Sequence, residues 1–139
     1  MYVAIPKEIN SLEPRVAATP GSVKQIIKSG LNVFVESGAG MNSFISDDEY
    51  RNAGATIINS SKELLSNADI TLKVLPPSNE EIDLLKEKSV FISFCQTTRE
   101  LEIVSLLAKK RISAFSMHLV PRTTLAQKMD ALSSQANIA

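Results

Sequence analysis

The sequence has few of the residues on which several classes of protein depend. It contains one cysteine, Cys95, one histidine, His118, and no tryptophan. A single cysteine cannot form an internal disulfide, and no spacing typical of a zinc site is present, so we expect no bound metal. The sequence also lacks a P-loop and a serine-triad motif.

Strong net charge and long apolar runs are absent as well. The 15 basic and 15 acidic residues balance, so no net charge attracts nucleic acid or an anionic membrane. No apolar run approaches the roughly 18 residues of a membrane span, and the stretch before Lys7 is too short for a signal peptide. We expect one cytoplasmic domain of ordinary size without a nucleic-acid partner.

Short β-rich runs alternate with helical patterns along most of the chain. The predicted strands are 2–5, 32–35, 56–58, 70–74, 90–94 and 113–117. The predicted helices lie between Thr19 and Gly30 and over 46–54, 60–65, 78–85 and 99–109. This order predicts an α/β domain in which helices cover both faces of a parallel sheet, a Rossmann-like or flavodoxin-like three-layer fold.

Two of these elements carry more specific expectations. The strand 90–94 is almost continuously apolar, which is typical of a strand buried on both faces. The helix 99–109 has Leu101, Val104 and Leu107 at helical spacing. We therefore expect these three side chains to face the core.

The end of the chain differs from the rest in composition. Residues 124–139 contain neither glycine nor proline and predict a helix. No C-cap follows this helix, so we expect the chain to be cut short of a further domain. The sequence is accordingly divided into an α/β domain, residues 1–124, and a helix, residues 125–139, that leads into an absent further domain.

The segment from Gly38 to Gly40 is a candidate for a dinucleotide-binding fingerprint. A complete fingerprint has a third glycine that opens a helix directly after the strand, and Met41 to Phe44 follow here instead. We expect a structural loop rather than a phosphate site.

Two cations occupy positions at which a parallel sheet can bind ligands. Arg15 follows the first predicted strand, and open α/β sheets bind ligands at the carboxyl ends of their strands. Lys73 lies in a predicted strand, where burial is costly unless the side chain reaches the sheet edge or meets a carboxylate. Two interpretations of Lys73 stay open: an edge-strand lysine that extends to solvent, and a cation aimed at an anionic or carbonyl ligand.

His118 and Cys95 each follow a predicted strand. A histidine at such a position is compatible with acid–base chemistry, but no partner is evident, so we favour a solvated loop residue. Cys95 is expected to be a small apolar core residue.

Four polar residues recur toward the end of the chain. Arg122 precedes the predicted helix, and Gln127, Asp130 and Ser133 recur three residues apart on one of its faces. The four offer a guanidinium, an amide, a carboxylate and a hydroxyl, a mixture that suits the orientation of a carboxamide and a ribose. Helix capping and surface polarity would produce the same pattern, and periodicity does not separate the two interpretations.

Longer motifs resemble a known family. They are RVAATP at 15–20, VESGAG at 35–40, LKV at 72–74, PRTTLAQ at 121–127 and MDALSSQANIA at 129–139. In this order they closely resemble blocks of the N-terminal domain and the following segment in the α subunit of proton-translocating nicotinamide nucleotide transhydrogenases. The family often has an arginine where this chain has Leu125, which puts one basic contact in doubt.

The resemblance implies a nicotinamide-nucleotide enzyme whose α subunit has two α/β domains. NAD(H) binds between these domains and mainly to the second, whose glycine-rich fingerprint is absent here. The implied cofactor-binding residues, which orient the nicotinamide and its ribose, are Arg122, Gln127, Asp130 and Ser133. Hydride passes directly between NAD(H) and NADP(H), which a separate component holds, so alignment replaces a catalytic side chain.

The resemblance also implies the partners of this domain. These are the second domain of the subunit, the NADP-binding component, a membrane component that couples hydride transfer to proton movement, and a second copy in a homodimer. The assembly would be cytoplasmic and peripheral to the inner membrane. We expect residues 1–139 alone to be inactive.

Alanine dehydrogenases share this domain and are the first alternative. In them, the residues that match Arg15 and Lys73 hold the substrate, and a catalytic histidine follows the strand that corresponds to 90–94. This chain has Cys95 and Gln96 at that place, so the general acid–base residue is missing and a transhydrogenase is favoured.

The second alternative is a flavodoxin-like interaction module without catalysis. A phosphoacceptor version of such a module would need an acidic cluster after the first strand, where Pro6 and Lys7 stand.

Overall fold

Strands and helices alternate along residues 1–121 and 123–131, which are the residues that the computed structural model describes. The strands are β1 Tyr2–Ile5, β2 Asn32–Glu36, β3 Thr56–Ile58, β4 Ile70–Leu72, β5 Val90–Ser93 and β6 Ser113–Ser116. The α-helices are α1 Pro20–Lys28, α2 Asp47–Asn52, α3 Ser61–Asn67, α4 Asn79–Leu84 and α5 Leu101–Lys109. Short 3-10 helices cover Met41–Ser43, Met117–Leu119 and Gln127–Met129.

One sheet contains these six strands in the order β3-β2-β1-β4-β5-β6. Every neighbouring pair is parallel, which confirms the predicted parallel α/β fold. The order of connection reverses between the central strands β1 and β4. The loops that follow these two strands therefore leave in opposite directions and open a crevice at the carboxyl edge of the sheet.

Hydroxyl caps fix where several helices begin. The Thr19 hydroxyl accepts the backbone N–H of Ser22 at 3.4 Å, and Pro20 takes the first helical position of α1. Ser46 and Ser78 each form a capping box with the glutamate three residues later. Local sequence thus sets the start of α1, α2 and α4, all of which begin at the carboxyl edge.

The helices divide between the two faces of the sheet. Val3 of β1 packs in one cluster with Val23 of α1 and Tyr50 of α2. The next residue of the strand, Ala4, points to the opposite face and packs with Leu64 of α3. On that second face, β5 packs against α4 and α5. Helices therefore lie on both faces, as the sequence predicts.

The face under α1 and α2 is covered along only part of its width. The core cluster of these helices extends as far as Ile70 and Leu72 of β4. Beyond it, Ile92 and Phe94 are half-buried and Phe115 of β6 is 60% exposed. The prediction that β5 is buried on both faces is wrong on this side, because the helices do not extend over it.

Helix α5 turns a different face inward from the predicted one. Leu107 is buried, and Ile103 and Leu106 pack half-buried against the same cluster. Leu101 is 65% exposed, so the predicted inward orientation is wrong for this residue. Val104 is 37% exposed and lines a cavity with Phe91 and Leu107. The helix packs between α4 and the edge strand β6.

The segment after Pro121 is not one continuous helix. Residues 124–126 form a turn, in which the Thr123 hydroxyl accepts the N–H of Ala126 at 3.4 Å. A 3-10 helix over Gln127–Met129 follows and ends at Asp130. The predicted helix from residue 124 is therefore wrong over 124–130, where the backbone N–H groups of Ala126 and Met129 donate to the carbonyl three residues earlier instead of four. Residues 132–139 of that prediction lie outside the described residues.

Tyr50 anchors the loop that precedes α1. Its side chain is fully buried, and its hydroxyl donates to the backbone oxygen of Ala18 at 2.8 Å. Burial raises the pKa of Tyr50 to about 12, so the phenol remains a donor at neutral pH. This bond joins α2 to the end of the loop that carries Arg15.

Replacement of Tyr50 by phenylalanine tests this anchor. Tyr50→Phe should lower the free energy of unfolding by about 1–2 kcal/mol, because the Ala18 carbonyl is left buried without its donor. Urea titration followed by circular dichroism measures the change. Tyr2→Phe is the matched control, since it keeps the ring that stacks on Phe34 with 3.7 Å between ring centroids. This variant should lose less than about 0.5 kcal/mol of stability. Equal effects of the two variants would contradict the anchor.

Candidate functional site

A cavity of about 520 Å³ opens at the carboxyl edge of the sheet. One wall is the uncovered half of the sheet face, with Leu72, Ile92 and Phe94. The loop between β1 and α1 also lines the cavity and contributes Arg15. An apolar wall facing a small number of polar groups is the usual composition of a small-molecule site.

Arg15 is the cation that the loop presents to the cavity. Its Nε and Nη2 atoms each donate to the Glu13 carboxylate at 2.7 Å. The Glu13 side chain is 8% exposed and that of Arg15 is 46% exposed. Hydrogen bonds from the guanidinium lower the pKa of the Glu13 carboxyl below its usual value, so the pair is ionised at neutral pH.

The loop around Arg15 is held at several points. The Ser43 hydroxyl donates to the backbone oxygen of Pro14 at 2.5 Å, and the backbone N–H of Glu13 donates to the Asn10 oxygen at 3.0 Å. Together with the Tyr50 bond to Ala18, these contacts fix the loop on both sides of the arginine. The guanidinium thus stands on a backbone that has little freedom to move.

Lys73 directly follows β4 and is paired with carboxylates. Its Nζ atom lies 2.7 and 2.8 Å from the two oxygens of Glu81 and 3.7 Å from Glu8. The three side chains are only 3%, 8% and 4% exposed, for Lys73, Glu81 and Glu8 in turn. The lysine thus meets carboxylates instead of reaching a sheet edge, and β4 is a central strand.

Glu8 adds a second role to this buried group. Its carboxylate accepts the backbone N–H of Val74 at 2.7 Å and that of Leu75 at 3.4 Å. Burial raises the pKa of Glu8, which the Val74 N–H and the Lys73 ammonium only partly offset. With both glutamates ionised, the cluster of Glu8, Lys73 and Glu81 carries one net negative charge. The lysine is therefore no free cation for a ligand, although its side chain lines the cavity.

The segment of the four predicted tail residues reaches the same cavity. Ala131 lines it, whereas Gln127 is exposed and Asp130 is half-buried. Because residues 124–130 are not an α-helix, Gln127 and Asp130 do not share a helix face as the spacing predicts. Arg122 and Ser133 lie outside the described residues.

His118 and Cys95 do not line this cavity, and Cys95 lines a second cavity with Phe91 and Leu107. The half-buried His118 ring meets Phe94 edge-on, with ring centroids 5.6 Å apart, so it is not the solvated loop residue that we expected. Burial raises the pKa of Cys95 to about 11. The thiol therefore stays protonated at neutral pH, which agrees with its predicted role as a buried apolar residue.

The glycine segment forms a loop whose shape depends on packing. A Cβ atom on Gly40 would lie 2.7 Å from the Ile45 backbone oxygen and 2.8 Å from the Tyr50 ring. Gly38 has a φ of 75°, and its N–H donates to Asp47 at 2.9 Å. Both glycines thus serve the local fold, and Asp47 already takes the Gly38 donor that a phosphate would need.

Three acidic residues of the site were missed from the sequence. Glu8, Glu13 and Glu81 are buried and hold the two candidate cations. The sequence did offer a signal for Glu13. A glutamate two residues before an arginine in a loop can form a bidentate pair with its guanidinium. Glu8 and Glu81 could not be assigned to Lys73 without knowing which loops meet beside β4.

Comparisons with known proteins agree on one family. The family model described as alanine dehydrogenase/PNT, N-terminal domain, matches residues 4–139. The chain is 41% identical, over 100% of its length, to the NAD(P) transhydrogenase subunit alpha of Cereibacter sphaeroides, and it covers 27% of that protein. Alanine dehydrogenase of Methanococcus maripaludis is 35% identical over 86% of the chain, which covers 32% of that enzyme.

A solved structure shows the same relationship. The crystal structure of transhydrogenase from Sinorhizobium meliloti matches 99% of the chain with a TM-score of 0.95 and 41% identity. The chain covers 41% of that structure. It therefore spans well under half the length of each of these relatives.

The buried cluster of Glu8, Lys73 and Glu81 predicts losses of stability of very different size for two chemically identical changes. Glu81→Gln should destabilise the fold by about 3 kcal/mol, because the buried ammonium loses its close partner. Glu8→Gln should cost less than about 1 kcal/mol near pH 7, because it removes the excess negative charge and keeps an acceptor for the Val74 N–H. Urea titration of both variants measures the difference.

The pH dependence checks the same assignment. The folded-state pKa of Glu8 lies above its unfolded value, so ionised Glu8 costs stability that is regained as the pH falls through the folded pKa. The stability of Glu8→Gln relative to the original chain should therefore rise between about pH 4 and pH 7. A difference that stays constant over this range would contradict the raised pKa.

Proposed function

Because the chain belongs to the alanine dehydrogenase/PNT N-terminal domain family, we propose that it is the first domain of the NAD(H)-binding α subunit of a proton-translocating NAD(P) transhydrogenase. In this proposal the subunit passes hydride between NAD(H) and NADP(H). The chain covers 27% of the Cereibacter sphaeroides α-subunit relative, so the remaining functions belong to other regions of the assembly.

One observation carries the proposal. The tail motif that resembles the nicotinamide-binding segment runs to the cavity at the carboxyl edge, where Ala131 lies among the lining residues with Arg15 and Phe94. A cavity of about 520 Å³ with an apolar wall and one guanidinium fits a flat ring that carries one polar substituent. The nicotinamide end of NAD(H) has this chemistry.

The proposed roles of the tail residues are to bind and orient. The residues that would hold the nicotinamide and its ribose are Arg122, Gln127, Asp130 and Ser133. The bound nucleotide supplies the hydride chemistry, and the protein supplies close approach and alignment. Fixed hydrogen-bond partners suit this task because a rotation of the ring by a small angle changes the distance between donor and acceptor carbons.

The absence of an acid–base residue at the end of β5 supports direct transfer. Hydride transfer between two nicotinamides moves no proton to or from the protein, whereas oxidation of an amino acid does. Cys95 has a raised pKa of about 11 and its neighbour Gln96 has no titratable group. Neither is suited to exchange a proton near neutral pH.

The same proposal assigns the organisation of the assembly. Residues 1–124 would form the first domain and residues 125–139 would lead into the second, NAD-binding domain. NADP(H) would be held by a partner component and proton movement would take place in a membrane component, with the α subunit as a homodimer on the cytoplasmic side. Within residues 1–121 and 123–131, no helix has the length and apolarity to cross a membrane.

The alternative is the substrate domain of an alanine dehydrogenase. Its support is Arg15, which faces the cavity, and the 35% identity to a Methanococcus maripaludis alanine dehydrogenase. Against it, the Lys73 ammonium is held by Glu81 at 2.7 Å. A substrate carboxylate at that position would have to displace a buried partner.

Substitution in the tail of the complete α subunit tests the orienting role. Gln127→Ala or Arg122→Ala should slow hydride transfer by about 100-fold and weaken NADH binding only a few-fold, since misalignment affects the reaction more than the affinity. Stopped-flow transfer rates and NADH titration measure the two effects separately. Lys128→Gln, an exposed neighbour, is the control. A loss of affinity with an unchanged maximal rate would contradict orientation.

A second test uses residues 1–139 by themselves. We expect negligible hydride transfer and very weak NADH binding, because the proposal places most of the cofactor site on the second domain. Isothermal titration calorimetry measures the affinity, with the complete subunit as the reference. Micromolar binding by residues 1–139 would mean that the site is already complete in this domain.

A further inference from the structure

We propose that Glu13 is a positioning residue, which holds Arg15 so that the free edge of its guanidinium meets the carbonyl oxygen of a planar ligand group in the cavity. The ligand chemistry is a carboxamide or a carboxylate on a flat ring. This inference rests on the proposed function for the identity of the ring, and on the geometry of Glu13 and Arg15 for the role of Glu13.

The contacts of Glu13 are directed to one residue. Its carboxylate accepts the Nε and Nη2 donors of Arg15 at 2.7 Å and the backbone N–H of the same residue at 3.1 Å. A buried carboxylate is costly unless it is paired, and this one is 8% exposed beside an arginine that is 46% exposed. A buried Glu13 paired with a half-exposed Arg15 adds little to the packing of the core. The pair does fix the direction of the guanidinium.

The direction of the guanidinium matters because of what faces it. A guanidinium has five N–H donors in a rigid planar fork, and Nη1 makes no hydrogen bond to any residue within the described portion of the chain. Arg15 lines the cavity together with Leu72 and Phe94. A ring that packs on this apolar wall can therefore direct a carbonyl oxygen to the donors that Glu13 leaves free.

Preorganisation explains why a dedicated partner would help. A free arginine side chain loses rotamer freedom when it binds, at a cost that weakens the complex. Glu13 fixes the χ angles of Arg15 before the ligand arrives, and the Ser43 bond to Pro14 fixes the backbone between them. Loss of Glu13 should therefore weaken binding by about 3- to 10-fold without removing the charge of Arg15.

The test uses the complete α subunit and two probes that differ in one group, nicotinamide and nicotinate. Binding is followed by chemical shifts in ¹⁵N–¹H spectra for Glu13→Ala, Arg15→Ala, the double variant and the original chain. We expect Glu13→Ala to lower the affinity for the probe that binds by about 3- to 10-fold. The same substitution should have no effect on affinity when Arg15 is already alanine. An equal loss in both backgrounds would overturn the proposal, since that is what a merely structural role produces.

Glu13→Gln serves as the second variant, because it keeps one acceptor and the shape of the side chain. It should retain the melting temperature within a few degrees and show an intermediate affinity, with the Arg15 Nε–H signal broadened relative to the original chain. Glu87→Gln is the matched control, since Glu87 pairs with Arg111 at 3.5 Å on the surface. An unaltered Nε–H signal in Glu13→Gln, or no binding of either probe up to its solubility limit, would overturn the proposal.

The two probes separate this inference from the proposed function. If the effect of Glu13→Ala on affinity depends on Arg15, it supports the positioning of Arg15 by Glu13, whichever probe binds. Preference for nicotinamide agrees with a nicotinamide site. Preference for nicotinate would count against the transhydrogenase role and for a keto-acid substrate, while the positioning of Arg15 by Glu13 would stand.

Discussion

The pairing of Lys73 with Glu81 and Glu8 is the interaction on which the carboxyl edge of this domain depends. The lysine follows a central strand and is 3% exposed, so its charge requires a partner inside the protein. Glu81 provides that partner from the first turn of α4, and Glu8 provides a second carboxylate from the loop after β1. The pairing therefore joins the two loops that leave the sheet in opposite directions.

Uneven coverage of the sheet determines where the cavity can lie. α1 and α2 cover the half of one face that includes β1–β3, whereas the other face is covered by three helices. The uncovered half is apolar at Ile92, Phe94 and Phe115, and apolar surface that remains in water is costly. The cavity combines this surface with the loop of Arg15, so the ligand that the proposal places there would bury some of what the helices leave open.

The sequence predicted the fold more completely than the site. Alternating strands and helices, together with caps such as Thr19 and Ser46, carry local signals that the structure confirms. The failures have physical reasons that lie outside the local pattern. Apolar strand residues in β5 do not reveal that one side is left without a helix among residues 1–121 and 123–131. The tail forms backbone hydrogen bonds over three residues, although its composition favours an α-helix.

Arg15 and Lys73 show why residue type alone could not define the site. Both are basic residues predicted near the carboxyl ends of strands, and the sequence left two interpretations of Lys73 open. In the structure, each has a buried glutamate partner, but the consequences differ with geometry. Glu81 and Glu8 enclose the Lys73 ammonium and leave a net negative charge, whereas Glu13 takes one side of a planar guanidinium.

A planar cation can be held by one partner and still bind another, because its donors point in different directions. A compact ammonium enclosed by two carboxylates does not have this freedom. Among the described cations that line the cavity, Arg15 is thus the one that can stay fixed by its partner and still donate hydrogen bonds to a ligand. An enzyme that works by alignment needs such a group, since a contact that must reorganise on binding cannot hold a ring at a defined angle.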